Sequence, residues 1–271
     1  MAAFYHNLGS MGPISPKAAN VQSLRAALKA LEFDDKLAEA HAMMAMLRAC
    51  MFDWKGAERE FLRALELGLE SPEVGSNYGL YYLLPMRRLD EAVAASRRAV
   101  ELDPLSPAMQ WRLGHGYFMS RQWDLTIEQC RNALELDPNY FLAHIQLGLA
   151  HVGKGEFEDA ITACERGAQL AGRSPWALGI LGHLYGLAGR TGEAQKVARE
   201  LRDRTQTAYV SPWSFALIEF ALGKIDRGFD LLEKAGEECE LQLLLIPCPA
   251  YDWLHSHPRY PALLRKMNLE P

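Results

Sequence analysis

Two nearly identical hexapeptides decide the fold, Ala99-Val-Glu-Leu-Asp-Pro104 and Ala133-Leu-Glu-Leu-Asp-Pro138, whose prolines stand 34 residues apart. A Leu-Gly pair follows each hexapeptide, at Leu113-Gly114 and at Leu147-Gly148, and one further period leads to Leu181-Gly182. A fixed period of this length is the sequence signature of stacked supersecondary units. We therefore predict a repeat architecture whose function lies on a surface that the units form together.

Several units also carry an apolar helix face that contains a glycine. Leu113, Gly114 and Tyr117 are spaced so that they share one side of a helix. A glycine inside a helix costs about 1 kcal/mol relative to alanine, so its recurrence indicates the close approach of a second helix. Small residues recur on that second helix at intervals of 34 or 35: Ala57, Ala92, Thr126, Ala160, Ala194 and Gly228. We predict that each of them touches the glycine or alanine of its partner helix.

Three glycines mark the turn between the two helices of a unit. Gly155, Gly189 and Gly223 lie one period apart, just past the first helix, where a left-handed residue commonly ends a helix. Arg87 and Arg121 occupy the same place in two other units, which predicts turns of a different kind there.

The period of 34, with Leu-Gly, Tyr, Ala and Pro at recurring offsets, resembles the tetratricopeptide repeat, a helix–turn–helix unit. The resemblance covers residues 16–240 as an N-terminal half repeat followed by six repeats. It implies an all-α protein, a right-handed superhelical solenoid, with residues 241–271 as a helical C-terminal cap. We expect residues 1–15 to be a flexible N-terminus or a cloning remnant.

Composition narrows the class of partner and the compartment. The 271 residues carry 29 basic and 34 acidic side chains, a net charge of −5, which argues against nucleic-acid binding. No apolar run reaches the roughly 18–20 residues of a membrane span, and the N-terminus lacks the features of a signal peptide. The five cysteines include no Cys-x-x-Cys pair, which favours free thiols in a reducing compartment. We predict a cytoplasmic bacterial protein that contacts neither nucleic acid nor membrane.

A search for chemistry in the sequence yields no catalytic residue, no cofactor site and no metal site that we would predict. There is no Gly-x-Ser-x-Gly, no phosphate-binding glycine loop and no His-Glu-x-x-His. Cys248, His255 and His257 are ligand types, so a metal-binding protein stays as an alternative, although their spacing matches no common zinc pattern.

The inner surface of the solenoid is the predicted binding site. In the tetratricopeptide family, the residues one position round from the packed helix face line a groove that holds a partner peptide. The resemblance therefore implies a concave groove formed by Asn77, Tyr81, Trp111, His115, Phe118, Ile145, Leu149, His183, Trp213, Leu217 and Phe220. An alternative interpretation has Trp111 and Trp213 packed between units as core residues. The family's chaperone-binding members use a clamp of Lys, Asn and Arg, of which Asn77 alone is matched here, so we exclude that partner class.

These observations predict a non-catalytic protein–protein interaction module that binds a peptide or helix in an apolar and aromatic groove. The apolar residues near the C-terminus, which include Tyr251 and Trp253, also resemble the closing segment of tetratricopeptide arms in bacterial regulatory proteins. A second hypothesis is therefore the sensory or regulatory arm of a larger transcription regulator or Ser/Thr kinase, whose groove would hold a ligand or contact the effector domain. A homodimer is left open.

Overall fold

The computed structural model describes residues 14–269. Within this range the regular structure is entirely helical, without any β-strand. The expectation for residues 1–15 lies almost wholly outside the described residues. The helices up to residue 237 are α1 (Pro16–Phe33), α2 (Ala38–Cys50), α3 (Trp54–Leu67), α4 (Pro72–Tyr78), α5 (Leu89–Leu102), α6 (Pro107–Met119), α7 (Trp123–Leu136), α8 (Phe141–Lys154), α9 (Phe157–Leu170), α10 (Pro175–Leu187), α11 (Thr191–Arg204), α12 (Pro212–Ala221) and α13 (Ile225–Glu237).

The helices form a stack of six hairpins, which we number pairs one to six from α2/α3 to α12/α13. Within each pair the two helices pack against each other, and each pair then contacts the next, as between α7 and α8 or between α10 and α12. Helix α4 continues as a π-helical turn, Gly79–Leu83, just before Pro85, which cannot supply the next backbone N–H. This arrangement is a helical repeat solenoid, and the predicted all-α fold is confirmed.

The predicted contact between small residues holds in three of the pairs. A Cβ added to Gly79 would lie 3.1 Å from the carbonyl oxygen of Ala92, and one on Gly148 would lie 2.6 Å from that of Ala160. A Cβ added to Gly114 would lie 3.6 Å from the carbonyl oxygen of Thr126. The backbones of the two helices therefore approach each other closely where their small residues meet.

Pairs five and six depart from this prediction. In pair six a Cβ on Gly228 would meet the Phe220 ring first. A Cβ on Gly182 would first meet the side chains of Ile218 and Val197, at 2.7 and 3.1 Å. Ile218 belongs to α12 of the next pair, so this glycine makes room for a neighbouring repeat as well as for its own second helix.

The turns at the two arginines do not differ from the glycine turns, so that prediction is wrong. Arg87 and Arg121 both have φ of 59°, in the left-handed region that Gly155 occupies at 80°. In each turn the next residue donates its N–H to a carbonyl five positions earlier, for example Gln122 to Tyr117 at 2.9 Å. This bond satisfies a free carbonyl at the end of the helix, which offsets the cost of the conformation for a residue with a Cβ.

The chain after α13, which we call the C-terminal segment (residues 241–269), is built of short turns. It contains two 3₁₀ helices, Leu241–Leu245 and Pro249–Tyr251, followed by α14 (Asp252–His255) and α15 (Tyr260–Lys266). Apolar side chains of its second half are buried in the core cluster that includes Phe229 and Leu232 of α13: Leu254, Tyr260, Leu263, Leu264 and Met267. The segment thus covers the last pair.

The same segment also reaches the first pair. The Trp54 indole Nε1 donates to the carbonyl oxygen of Met267 at 2.7 Å, and Asn268 Nδ2 donates to the carbonyl of Phe52 at 3.1 Å. The adjacent Lys266 donates to Glu233 of α13 at 2.6 Å, so this part of the segment bridges the last pair and the first. The sequence predicted contact with the last repeat alone.

Candidate functional site

The C-terminal segment first packs against the first helices of the early repeats. Leu244 and Cys248 are fully buried in one cluster with Met46, Leu84 and Phe118, which come from the first helical regions of pairs one to three. The Cys248 thiol donates to the Leu84 carbonyl, with sulfur and oxygen 3.4 Å apart. Burial raises the pKa of this thiol to about 12, so it stays protonated and acts as a small apolar group.

Farther along, aromatic rings hold the segment to the late repeats. The Tyr251 ring meets Trp213 edge-on at a centroid distance of 5.9 Å, and Trp253 meets Phe220 edge-on at 5.1 Å. Trp253 also stacks on His183, at 6.0 Å. Aromatic pairs of this geometry contribute about 0.5–1.5 kcal/mol each beyond the area that they bury.

A buried carboxyl marks the start of the segment. Glu240 is 1% exposed and accepts hydrogen bonds from Ser211 Oγ at 2.5 Å and from the Tyr209 hydroxyl at 3.1 Å. Burial raises the pKa of Glu240 to about 7, although the Ser211 and Tyr209 hydroxyls favour its charged form. The preceding residue, Cys239, has φ of 55°, which turns the chain out of α13. Loops that follow α11 and α13 therefore meet at this junction.

Between the segment and the first helices of pairs three to six lies an apolar cavity of about 570 Å³. The solenoid contributes seven of the predicted groove residues to its lining: His115, Phe118, Leu149, His183, Trp213, Leu217 and Phe220. From the segment come Leu245, Pro249, Ala250, Tyr251 and Trp253. The volume suits a small organic molecule, and most of the lining is apolar, as in small-molecule sites generally.

Two histidines bring polar atoms to this lining. His115 Nδ1 lies 3.1 Å from Gln146 Oε1, so that nitrogen donates, while Nε2 is buried without a hydrogen-bond partner among the described residues. His183 Nδ1 donates to the Leu217 carbonyl at 2.7 Å. Burial lowers the pKa of His115 to about 4 and lowers that of His183 as well, so both rings are neutral at pH 7.

A second depression of about 570 Å³ has a different character. It lies on α11 between the exposed charged side chains of Lys196, Arg199 and Asp203, and it is wide open to solvent. Exposed ions of both signs are the ordinary surface of a soluble helix, whereas the aromatic cavity is a sheltered apolar space. We therefore take the aromatic cavity as the candidate site.

Comparison with known proteins agrees with the repeat period and the fold. A stretch of 57 residues is 41% identical to the "TPR repeat-containing protein MJ0941" of Methanocaldococcus jannaschii, covering 21% of this chain and 17% of that protein. PilW, titled a type IV pilus biogenesis factor, superimposes with a TM-score of 0.58 at 18% identity, over 76% of this chain and 91% of PilW. The structure titled APC/C hetero-tetramer Cut9-Hcn1 gives a TM-score of 0.61 at 15% identity, over 92% and 49%.

The repeats of this chain are tetratricopeptide repeats. No family model matches the chain. The chain spans less than a third of the length of the curated relatives that it matches, at 17, 22 and 30%.

Four of the predicted groove residues lie outside the cavity of the tetratricopeptide solenoid. Asn77 accepts a hydrogen bond from the Arg112 guanidinium, and Tyr81 is half-buried beside the first core cluster. Ile145 is 1% exposed, and its side chain lies against the backbone of Gly167 on α9. Trp111 packs on the small cluster around Cys130 and Ala143, between pairs three and four.

The two tryptophans of the alternative interpretation thus differ. Trp111 packs between repeats, as that interpretation has it. Trp213 is 3% exposed and belongs to the main core cluster, yet its ring also lines the cavity and meets Tyr251. Trp213 is therefore a core residue that also borders the cavity.

Two further tryptophans line the cavity and were not predicted. Trp123 begins the second helix of pair three, and Trp176 follows Pro175 at the start of α10. The sequence feature that could have indicated the position of Trp123 is Gly153. A Cβ on Gly153 would lie 2.5 Å from the Trp123 indole ring. A glycine within an apolar helix, one repeat beyond a tryptophan, indicated that the ring packs across the repeat boundary.

The side chains of the alternative metal site are engaged elsewhere. His255 lies 3.1 Å from the Ile246 carbonyl and stacks on Tyr260, while His257 stacks on Phe229 at 4.4 Å. Among residues 14–269, the ligand-type atoms that converge belong instead to His151, Glu156 and Asp159. Within residues 14–269, every helix is too short or too polar to cross a membrane.

Proposed function

We propose that the chain is a non-catalytic protein–protein interaction module that binds a peptide or short helix of a partner in its concave groove. One observation supports this most strongly: a peptide segment, residues 241–269, already lies in contact with that surface. Its Tyr251 and Trp253 make ring contacts with groove residues, and its Leu244 is buried among the early repeats.

The chemistry of the segment suggests the chemistry of a partner. Large aromatic side chains give the most contact area for the conformational entropy lost, which makes them the usual energetic centres of interfaces. A partner segment would present an aromatic pair in place of Tyr251 and Trp253, with an aliphatic residue near the position of Leu245. It would carry few charges, since the groove residues are apolar or neutral.

The covalent link of the segment affects any such binding. A short tether gives a bound segment an effective concentration on the order of millimolar. A partner must therefore compete with it, and the apparent affinity falls with the fraction of molecules whose groove is open. Partner binding would be weak in the closed form and stronger once the segment is released.

A direct test uses a fluorescently labelled synthetic peptide of residues 241–269 and the full chain. We expect the Tyr251→Ala/Trp253→Ala double variant to bind the peptide at least about tenfold more tightly than the unchanged chain, because its own segment competes less. Fluorescence anisotropy gives the two affinities. Phe33→Ala, which removes an aromatic ring that is 82% exposed, is the control and should behave like the unchanged chain.

A third variant locates the binding. Adding Leu149→Glu to the double variant places a charge on the cavity lining and should abolish peptide binding. Circular dichroism checks that each variant keeps its helices. If the double variant stays folded and binds the peptide no better than the unchanged chain does, the proposed groove is wrong.

The sheltered cavity favours a second candidate, the sensory or regulatory arm of a larger regulator, because a ligand of small-molecule size would fit within it. The sequence of the complete gene tests this candidate. An encoded winged-helix or kinase domain joined to this chain would support it, and an open reading frame with neither would count against it.

A further inference from the structure

We propose that the cavity beneath the C-terminal segment binds an uncharged aromatic small molecule, and that this ligand stabilises the closed position of the segment. Four of the six tryptophans of the chain line the cavity, namely Trp123, Trp176, Trp213 and Trp253. They come from four separate elements, so the lining is assembled by the tertiary fold. Flat indole surfaces on several sides favour a planar aromatic ligand.

Charge excludes ionic ligands. Within residues 14–269, the charged residues at the cavity are Arg121 and Asp252, and they pair with each other at 3.4 Å. The Arg121 guanidinium also lies 5.9 Å from the centre of the Trp123 ring, and Asp252 has a second partner in His255 at 3.1 Å. An anion or cation would therefore leave water without gaining an unpaired opposite charge, which disfavours its binding.

The position of the cavity couples the ligand to the segment. Pro249, Ala250, Tyr251 and Trp253 form part of the lining, so the site is complete only while the segment lies on the solenoid. A ligand that binds the closed form alone shifts the population toward it. By thermodynamic linkage, the ligand and a groove-binding peptide would each weaken the other's binding. This last step rests on the proposed function, whereas ligand binding itself does not.

Two probes of nearly equal shape test the inference. N-phenyl-1-naphthylamine is uncharged, and 8-anilinonaphthalene-1-sulfonate adds an anionic group to the same ring system. We expect the full chain to bind the amine saturably with one site, detected by energy transfer from tryptophan to the probe. The sulfonate should bind at least about tenfold more weakly, because Arg121 is already paired with Asp252 and offers it no free cation.

Variants assign the binding to the cavity. Leu149→Glu places a charge on the lining and should abolish binding of the amine. Phe33→Ala removes an exposed ring outside the lining, so this control should bind both probes like the unchanged chain. Tyr251→Ala/Trp253→Ala should lose both probes.

Three results would overturn the inference. They are the absence of saturable binding of the amine to the unchanged chain, equal affinity of that chain for amine and sulfonate, and unchanged binding of the amine in a folded Leu149→Glu variant. The first two comparisons need no substitution, so a folding defect does not affect them. Failure of the probes with retention of peptide binding in the double variant rejects the ligand site alone; the reverse pattern rejects the proposed function alone.

Discussion

Glu240 is a buried carboxyl at the point where the C-terminal segment leaves α13. Its oxygens accept hydrogen bonds from Ser211 and Tyr209, and Glu238 is the nearby charge that raises its pKa further. These contacts join two residues of the loop after α11 to one residue of the loop after α13. The protonation state of one side chain therefore bears on how firmly the segment is held at its origin.

We predict that this carboxyl makes the protein less stable as the pH rises. The pKa of Glu240 is about 7 in the folded chain and 4.5 in its reference state, so the folded state binds more protons between these values. The stabilisation is complete below pH 4.5 and is lost as the pH passes 7, an effect on the order of 3 kcal/mol. Urea unfolding at pH 5.5 and pH 8 should show about 2 kcal/mol of this loss, since the remainder falls below pH 5.5.

Glu240→Gln is the comparison that isolates this effect. The amide cannot ionise, so the variant should lack the loss of stability between the two pH values. His115 and His183 act in the opposite direction, because their lowered pKa values remove stability as the pH falls below 6.5. Both proteins carry this histidine contribution, so it cancels when the pH dependence of the variant is subtracted from that of the unchanged chain. An equal pH dependence in the two proteins would show that Glu240 is not the titrating group.

At the scale of elements, close helix crossings at glycines shape the packing within pairs two, three and four. A Cβ on Gly148 would overlap Cys164 Sγ and lie 2.6 Å from the Ala160 carbonyl, which is backbone and cannot move aside easily. Helix propensity by itself would favour alanine at this position. The packing of α8 against α9 therefore outweighs the intrinsic cost of glycine.

We predict that Gly148→Ala destabilises the protein by about 1–3 kcal/mol through overpacking. Gly75, in α4, is the matched control, because a Cβ there would meet no atom within 4 Å. Gly75→Ala should be neutral or stabilising by up to about 1 kcal/mol, since propensity then acts alone. Chemical unfolding compares the two variants, and equal effects would contradict the role assigned to Gly148.

The repeats could be predicted from the sequence because their determinants are local and recur. Gly114, Gly148 and the small residues opposite them report a crossing of neighbouring helices each time the period returns. The turns at Arg87 and Arg121 were mispredicted because a backbone hydrogen bond can impose a left-handed residue whatever the side chain. The conformation of such a turn thus depends more on the two helix ends that the turn joins than on the type of residue in it.

The path of the C-terminal segment could not be predicted in the same way. Its aromatic residues indicated burial, but two apolar surfaces were available to them, the end of the stack and its inner face. The segment packs on both surfaces. One of its hydrogen bonds joins the Trp54 indole to the backbone carbonyl of Met267, 213 residues away. Every residue has a backbone carbonyl, so no sequence pattern could have marked Met267 as the partner.

At the scale of the whole molecule, the segment turns an open stack into a closed one. It packs on Trp213 and Phe220 through its Tyr251 and Trp253, and it borders the cavity between Trp213 and Trp253. Its contacts at both ends of the stack tie the first and last repeats together. The proposed partner and the proposed ligand both act on this one closure, the first by displacing the segment and the second by stabilising it.

The closure itself can be measured by nuclear magnetic resonance with a spin label near the end of the segment. Arg265→Cys provides an exposed attachment site two residues from Met267, in a Cys239→Ser background that removes the half-exposed native thiol. A nitroxide there should strongly broaden the indole N–H signal of Trp54, because the segment returns to the first repeat. A Trp54 signal of undiminished intensity would contradict the closed arrangement.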